Sequence, residues 1–358
     1  MGIDTSFALL AFVIAFFGTS FLRKYALNLG LTDEPNHRSS HAVAMPRGGG
    51  VAVVASFSVF LLLAGFFGIN TPLGSLAVLI PAWAVAVAGL IDDLGHLSAG
   101  YRLLVHFVAS AVVLSVLASG HSVLSSIPMW LTLALGAIAL VSMVWLVNLF
   151  NFMDGIDGIV ALEVLSVCAS AFILLAINDG LAIAGFPIQV FFMAMAGFCF
   201  WNFPKAEIFM GDVGSGFVGF VMALFILITT SNGLLSVFVW LILLAVFWVD
   251  ATYTLLRRLV TGQNIAQAHR SHAYQILASR WGAHWKVSCT VAAVNLLWLF
   301  PLAALTNLIA NVETGFWKAT FYASAVLVIA VLPLIFVQVR LGAGEKACQK
   351  DYNVFRQT

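Results

Sequence analysis

Charge is what this chain most lacks. Only 9% of its 358 residues are Asp, Glu, Lys or Arg, against about 25% in a soluble domain. With 62% hydrophobic residues it cannot hide its side chains in one water-soluble core, so lipid must be its solvent. Sixteen basic and fifteen acidic residues nearly cancel, and there is no basic tail, so nothing in the charge invites a nucleic acid. Cysteine is sparse too. Cys168, Cys199, Cys289 and Cys348 are scattered, and the first three lie in apolar stretches, which reads as buried thiols rather than disulfides or a metal cluster. The N-terminus lacks a basic segment ahead of its apolar run, so that run reads as a retained membrane helix. Fixed-period repeats, low-complexity tracts and linkers are missing, and residues 1–358 read as one integral membrane domain.

What the chain has in abundance is long apolar runs. A spanning helix takes about 20 apolar residues. That length places spans near 5–22, 48–68, 74–91, 103–120, 128–149, 158–178, 181–201, 214–230, 234–256, 287–308 and 319–339. A membrane β-barrel would show alternating segments of about ten residues instead. The expected fold is therefore all-α and polytopic, with about eleven transmembrane helices.

Sidedness follows from the basic residues, which concentrate on the cytoplasmic side of membrane proteins. With eleven spans, fifteen of the sixteen fall on one side and only Lys318 on the other. The N-terminus is then expected outside and the C-terminus in the cytoplasm. The outside loops are plain connectors. The inside loops carry nearly every reactive group.

Five of those groups are carboxylates at inside helix ends: Asp92, Asp93, Asp154, Asp157 and Asp212. An acid within a membrane segment costs roughly 2.5–3.5 kcal/mol on insertion scales, less near a helix end. Any one of them could be a solvated interfacial charge, but their grouping in three apolar-flanked motifs argues otherwise. Like charges held together stay protonated or share a cation, and hard carboxylate oxygens suit Mg²⁺ or Mn²⁺. Gly89-Leu90-Ile91-Asp92-Asp93-Leu94 ends the third span, with Arg102 opening the next. Asn148-Leu149-Phe150-Asn151-Phe152-Met153-Asp154-Gly155-Ile156-Asp157-Gly158 joins the fifth to the sixth. There a helical turn would set Asp154 and Asp157 on one face, and the glycines would let backbone approach a ligand. Phe209-Met210-Gly211-Asp212-Val213-Gly214-Ser215 opens the eighth span. It reads as an N-cap, or as free N–H groups for a phosphate beside its metal ion.

Two further inside loops are polar. His269-Arg270-Ser271-His272-Ala273-Tyr274-Gln275 follows the ninth span, and its arginine favours a phosphate clamp over a zinc site. The first inside loop holds His37 and His41, then Pro46-Arg47-Gly48-Gly49-Gly50. The triple glycine follows no strand and is not a G-x-G-x-x-G dinucleotide fingerprint. Within spans the acids are Glu163 and Asp250. A secondary transporter would place its carboxylates near the midplane of two related halves, and no half-repeat is visible.

Together, over roughly residues 33–275, these strings resemble the polyprenyl-phosphate N-acetylhexosamine-1-phosphate transferase family, which starts peptidoglycan-lipid and O-antigen assembly. The resemblance implies transfer of the sugar phosphate from a UDP-N-acetylhexosamine to undecaprenyl phosphate in the bacterial inner membrane, at a site facing the cytoplasm. It implies Mg²⁺ on Asp212 and uracil stacked on Phe209. Asp157 would sit in the nucleotide pocket with Asn151 and Asp154 beside it, and Arg47 would bind substrate. Asp92 or Asp93 would deprotonate or position the lipid phosphate, while His269, Arg270 and His272 would hold the diphosphate. Two departures stand out. The loop reads His-Arg-Ser-His where the muramoyl-pentapeptide and N-acetylglucosamine branches show consecutive histidines. Trp248-Val249-Asp250 lacks a proline found near that aspartate in many relatives. The first departure resembles O-antigen-initiating enzymes using 6-deoxy sugars such as N-acetylfucosamine or N-acetylquinovosamine, with N-acetylglucosamine as the alternative.

Overall fold

The computed structural model describes residues 3–33, 44–69, 71–95, 97–119, 128–264, 269–313 and 315–345. His37, His41 and Cys348 lie outside them. The chain is a polytopic all-α membrane protein. Its helices are α1 (Ile3–Tyr25), α2 (Gly50–Phe66), α3 (Leu76–Gly95), α4 (Ala99–Ser119), α5 (Met129–Met153), α6 (Ile159–Ile177) and α7 (Phe186–Asn202). Then follow α8 (Asp212–Ser231), α9 (Val237–Leu243), α10 (Ala245–Val260), α11 (Ala273–Trp281), α12 (His284–Val294), α13 (Phe300–Val312) and α14 (Phe316–Leu341). Strands β1 (Thr32–Asp33) and β2 (Met45–Pro46) pair antiparallel.

Among the described residues nine helices, with α12 and α13 counted as one through a π-turn, are long and apolar enough to span a membrane. The pair α9–α10 makes ten. The count of eleven rests on α2, whose 17 residues lie at the short end of the range of about 17–25 for a spanning helix. The ninth span departs from expectation. It is not one rod but two helices bent by 78° at Leu244. No proline or glycine marks the break. The Leu241 carbonyl, which a continuous helix would bond to Ala245, instead accepts from the Trp248 indole. Such side-chain replacement is what makes a broken helix tolerable in lipid.

Helix α8 is the centre of the bundle. In its apolar window 83% of residues are buried, against 22% for α1, α4 and α14 on the periphery. Glycines let the neighbouring backbones close on it. A Cβ at Gly50 of α2 would overlap Gly214, and one at Gly89 of α3 would overlap the Asp212 carbonyl. At Gly219 it would stand 2.6 Å from the Leu146 carbonyl of α5. Small residues at such crossings give van der Waals contact where the hydrophobic effect offers nothing between helices. Large rings fill the rest, among them Phe57, Phe191, Phe217, Phe225 and Trp240. Cys168 and Cys199 are buried thiols as expected. Cys289 is not: it is exposed on α12, because an apolar position in a membrane helix can face lipid as well as core.

The two ends of the bundle differ in chemistry. At one end Asn178, after α6, bonds Asn307, Asn311 and the Leu234 carbonyl. At the other, Arg23 pairs with Glu207, Arg257 with Glu345, and the aspartate motifs meet. Loops assigned to one side by charge therefore do touch one another. Glu163 sits fully buried between, accepting a hydrogen bond from Asn295 at 2.7 Å.

Candidate active site

The site grows from the first turn of α8. Gly211 precedes it with φ +78°, a left-handed conformation glycine adopts without cost. The first-turn N–H groups of Asp212 and Val213 are not capped by a neighbour in sequence. They donate to the two oxygens of Asp93, on the last turn of α3, at 2.9 and 3.1 Å. Asp93 is thus a helix cap supplied from another helix, 7% exposed, and its carboxylate is already engaged.

Arg47 reaches the same place through main-chain pairing. Its own N–H bonds the Leu31 carbonyl, and the Phe209 N–H bonds the Pro46 carbonyl, both at 2.9 Å. Gly49 and Gly50 return the favour to the carbonyls of Phe209 and Met210. The loop before α2 is thereby fixed to the loop before α8, and Arg47 Nη2 lies 2.6 Å from Asp93 Oδ1 and 3.1 Å from Asp212 Oδ1. From α4, Arg102 Nη1 lies 2.5 Å from Asp92 Oδ2 and 2.8 Å from Asp212 Oδ2. Asn151, at the end of α5, donates to Asp212 Oδ1 at 2.9 Å and to Ser215 at 3.1 Å.

Asp212 is therefore the hub, held by two guanidinium groups and an amide, and it shares Arg102 Nη1 with the Asp92 carboxylate. Two carboxyls held together call for a shared proton or a cation. Among the described residues no three His, Cys, Asp or Glu side chains form a cluster that could hold a metal. Asp92 and Asp212 are hard carboxylates of the kind that holds Mg²⁺, which is commonly bound through one or two carboxylates plus substrate phosphates, and here the Asp212 oxygens are held by Arg47, Asn151 and Arg102.

Asp154 and Asp157 do not share a helical face. Helix α5 stops at Met153 and α6 starts at Ile159, with Gly158 left-handed at φ +72° between them. Asp154 faces the cluster. Its residue surface is half-exposed but its carboxyl is enclosed, and burial first, then the Asp212 charge, push it up to about 7 against the pull of Arg47. Asp157 points elsewhere, its Oδ2 3.3 Å from Nδ1 of His284. Phe209 is half-buried beside the Arg47 loop.

The histidine loop is built rather than merely solvated. His272 is the N-cap of α11, with a capping box to Gln275. Buried Asp250 of α10 accepts from the N–H groups of Ala273 and Tyr274 at 3.0 Å, and its Oδ1 lies 3.1 Å from His272 Nδ1. Tyr274 donates to the Phe152 carbonyl at 2.9 Å, and its hydroxyl fills the space a Cβ at Gly155 would need. This ties the loop to the Asp154 motif. His269 stacks on His272, ring centroids 5.0 Å apart. Burial, with His272 and Arg258 nearby, holds His269 down at about 3, so it is neutral and supplies no cationic donor. Arg270 is half-buried in the same loop.

Residues 75–230 match the model of a family described as glycosyl transferase family 4. That stretch contains Asp92, Asp93, Arg102, Asn151, Asp154, Asp157, Phe209 and Asp212. Beyond it, the chain is 31% identical over 288 residues to an "Undecaprenyl-phosphate alpha-N-acetylglucosaminyl 1-phosphate transferase" of Pasteurella multocida, covering 75% of this chain and 77% of that one. It is 28% identical over 333 residues to a "Probable undecaprenyl-phosphate N-acetylglucosaminyl 1-phosphate transferase" of Bacillus subtilis, covering 90% and 86%. A "Decaprenyl-phosphate N-acetylglucosaminephosphotransferase" of Mycolicibacterium smegmatis is 28% identical over 312 residues, covering 77% and 75%. The chain belongs to the polyprenyl-phosphate N-acetylhexosamine-1-phosphate transferase family.

Sequence reasoning missed three groups here. His284 opens α12, beyond every motif. Asp250 was noted only as an acid in a span, not as the cap of α11. His106, one turn beyond Arg102 on α4, is buried with Nδ1 unpartnered.

Proposed function

We propose that this protein transfers N-acetylhexosamine-1-phosphate from a UDP-sugar to undecaprenyl phosphate, at the cytoplasmic face of the bacterial inner membrane. A lipid-phosphate oxygen attacks the β-phosphorus of the nucleotide sugar. The bond from that phosphorus to the bridging oxygen breaks, and UMP leaves with the electron pair. The observation that carries the reading is Asp212 set between Arg47 and Arg102, with Asp92 on the same Arg102 nitrogen, at the end of the bundle where the motifs gather.

Phosphoryl transfer asks the protein for positioning and charge neutralisation more than for covalent chemistry. Arg47 and Arg102 present guanidinium forks that suit phosphate oxygens. Asp92 is the carboxylate assigned to the lipid phosphate: its side chain keeps 14% of its surface where that of Asp93 keeps none, and its oxygens accept from Arg102 and the Leu97 N–H. Asn151 holds Asp212 in place. Mg²⁺ on Asp212 and Asp92 would supply the remaining neutralisation of the diphosphate. The names of the relatives favour N-acetylglucosamine as the sugar, and the His-Arg-Ser-His departure favours a 6-deoxy N-acetylhexosamine. The product would start lipid-linked O-antigen or another surface polysaccharide. A transporter reading loses its carboxylates, since Glu163 bonds Asn295 and Asp250 caps α11.

Purified protein with undecaprenyl phosphate, Mg²⁺ and a panel of UDP-sugars, scored by UMP release, tests this. Turnover is expected with at least one N-acetylhexosamine, lost on chelation and in Asp212→Asn. Turnover in excess chelator would remove the metal from the reading, and no UMP with any sugar would overturn it.

A further inference from the structure

The motif between α5 and α6 does not stand alone. The first turns of α12 reach back to it from far along the chain. His284 and Ser288, four residues apart and so on one face of α12, both engage Asp157. The Ser288 hydroxyl donates to the Asp157 carbonyl at 2.7 Å. His284 Nδ1 lies 3.3 Å from Asp157 Oδ2 and accepts from the Asp157 backbone N–H at 3.5 Å. From the other side Asn202 accepts from the Gly158 N–H at 3.0 Å. Asp157 is thus clamped at main chain and side chain, yet its carboxylate keeps 17% of its surface and His284 25%. The Asp250 and His272 pair, by comparison, is sealed at 4% and 6%.

We infer that His284 is a positioning residue of the nucleotide-sugar subsite, holding Asp157 oriented toward a UDP-sugar. The inference rests on the transferase reading above and gives α12 a part in it. With Oδ2 beside the imidazole Nδ1 at 3.3 Å, Oδ1 is the oxygen offered to an O–H or N–H of the donor. The lipid phosphate belongs to the other half of the site, around Asp92 and Arg102, so His284 should govern the donor and not the acceptor.

The test compares wild type with His284→Ala, His284→Asn and His284→Gln in one detergent. UDP-N-acetylglucosamine, or whichever UDP-sugar the panel selects, is varied at saturating undecaprenyl phosphate, and then the reverse. An ordinary hydrogen bond to a charged group is worth about 1.5–3 kcal/mol. His284→Ala is expected to raise the KM for the nucleotide sugar about tenfold or more, with the KM for the lipid unchanged within about twofold. His284→Asn keeps a polar amide group where Nδ1 stood, able to accept from the Asp157 N–H, and should recover most of the loss. His284→Gln, which mimics Nε2, should not. A readout without turnover is the thermal stabilisation given by UDP-sugar alone, expected to shrink in Ala and Gln and to persist in Asn. Unchanged donor KM in His284→Ala, an equal rise for both substrates, or equal behaviour of Asn and Gln would each overturn the inference. Wild-type protein that turns over no UDP-sugar would instead overturn the transferase reading on which it rests.

Discussion

Replacing Asp93 by asparagine separates a reactive carboxylate from a structural one. Asp93 accepts two backbone N–H groups at the start of α8 and the Arg47 guanidinium, while 7% exposed. An amide keeps one acceptor oxygen and turns an NH₂ toward a donor, so at least one buried N–H loses its partner. That costs about 1–3 kcal/mol, and the lost charge at a helix N-terminus adds about 0.3–1 kcal/mol. The apparent unfolding midpoint in detergent should therefore fall by at least about 2 °C. Asp92→Asn is the control. Its carboxylate, 14% exposed, accepts from Arg102 and from one backbone N–H, that of Leu97, for which an amide keeps an oxygen, so the midpoint should fall less than in Asp93→Asn, while turnover should collapse. Both quantities are read on the same preparations, by thermal unfolding and UMP release. If Asp93→Asn kept the wild-type midpoint and lost all turnover, Asp93 would be the reactive acid and the capping account would be wrong.

Phe209→Ala should raise the KM for the UDP-sugar, since stacking a base on an aromatic ring is worth about 1–3 kcal/mol in nucleic-acid complexes; Phe209→Tyr should retain it, and unchanged KM in the alanine variant would leave the ring a packing group. With His269 held at about 3 by burial, with His272 and Arg258 nearby, the imidazole stays neutral through the whole neutral range. His269→Gln should thus leave the shape of the pH–rate profile between pH 5 and 8 unchanged, whereas loss of an ionisation near 6–7 would contradict that assignment. In intact cells a cysteine at Ser98 should resist an impermeant thiol reagent and one at Ser122 should react; the opposite pattern would invert the membrane orientation.

Hydropathy made the spans legible because lipid partition acts on each segment separately. All eleven apolar segments recur as helices within a few residues of expectation, save the bend at Leu244. Nothing local marks that bend, since it depends on the Trp248 indole finding the Leu241 carbonyl. The motifs likewise revealed which residues gather, as Asp212 with Asp92, Asn151 and Arg47 illustrates. They did not reveal what each one does there. Asp93 and Asp250 cap helices far away in sequence, and such capping leaves no spacing to read. Asp154 and Asp157 look like one helical pair until Gly158 turns left-handed. His284 was invisible for the same reason: its only link to the motif is tertiary.

The glycine contacts along α8 bear on when the repulsion among the aspartates is met. Gly89 and Gly50 bring the backbones of α3 and α2 onto the first turn of α8, so the carboxylates are spaced by main chain rather than by flexible side chains. A scaffold of that kind cannot relax by swinging its acids apart. The unfavourable proximity is therefore settled once, as the bundle assembles, and does not recur with every substrate. A polycharged donor arriving from water meets electrostatics that are already arranged, and its own binding need not reorganise them.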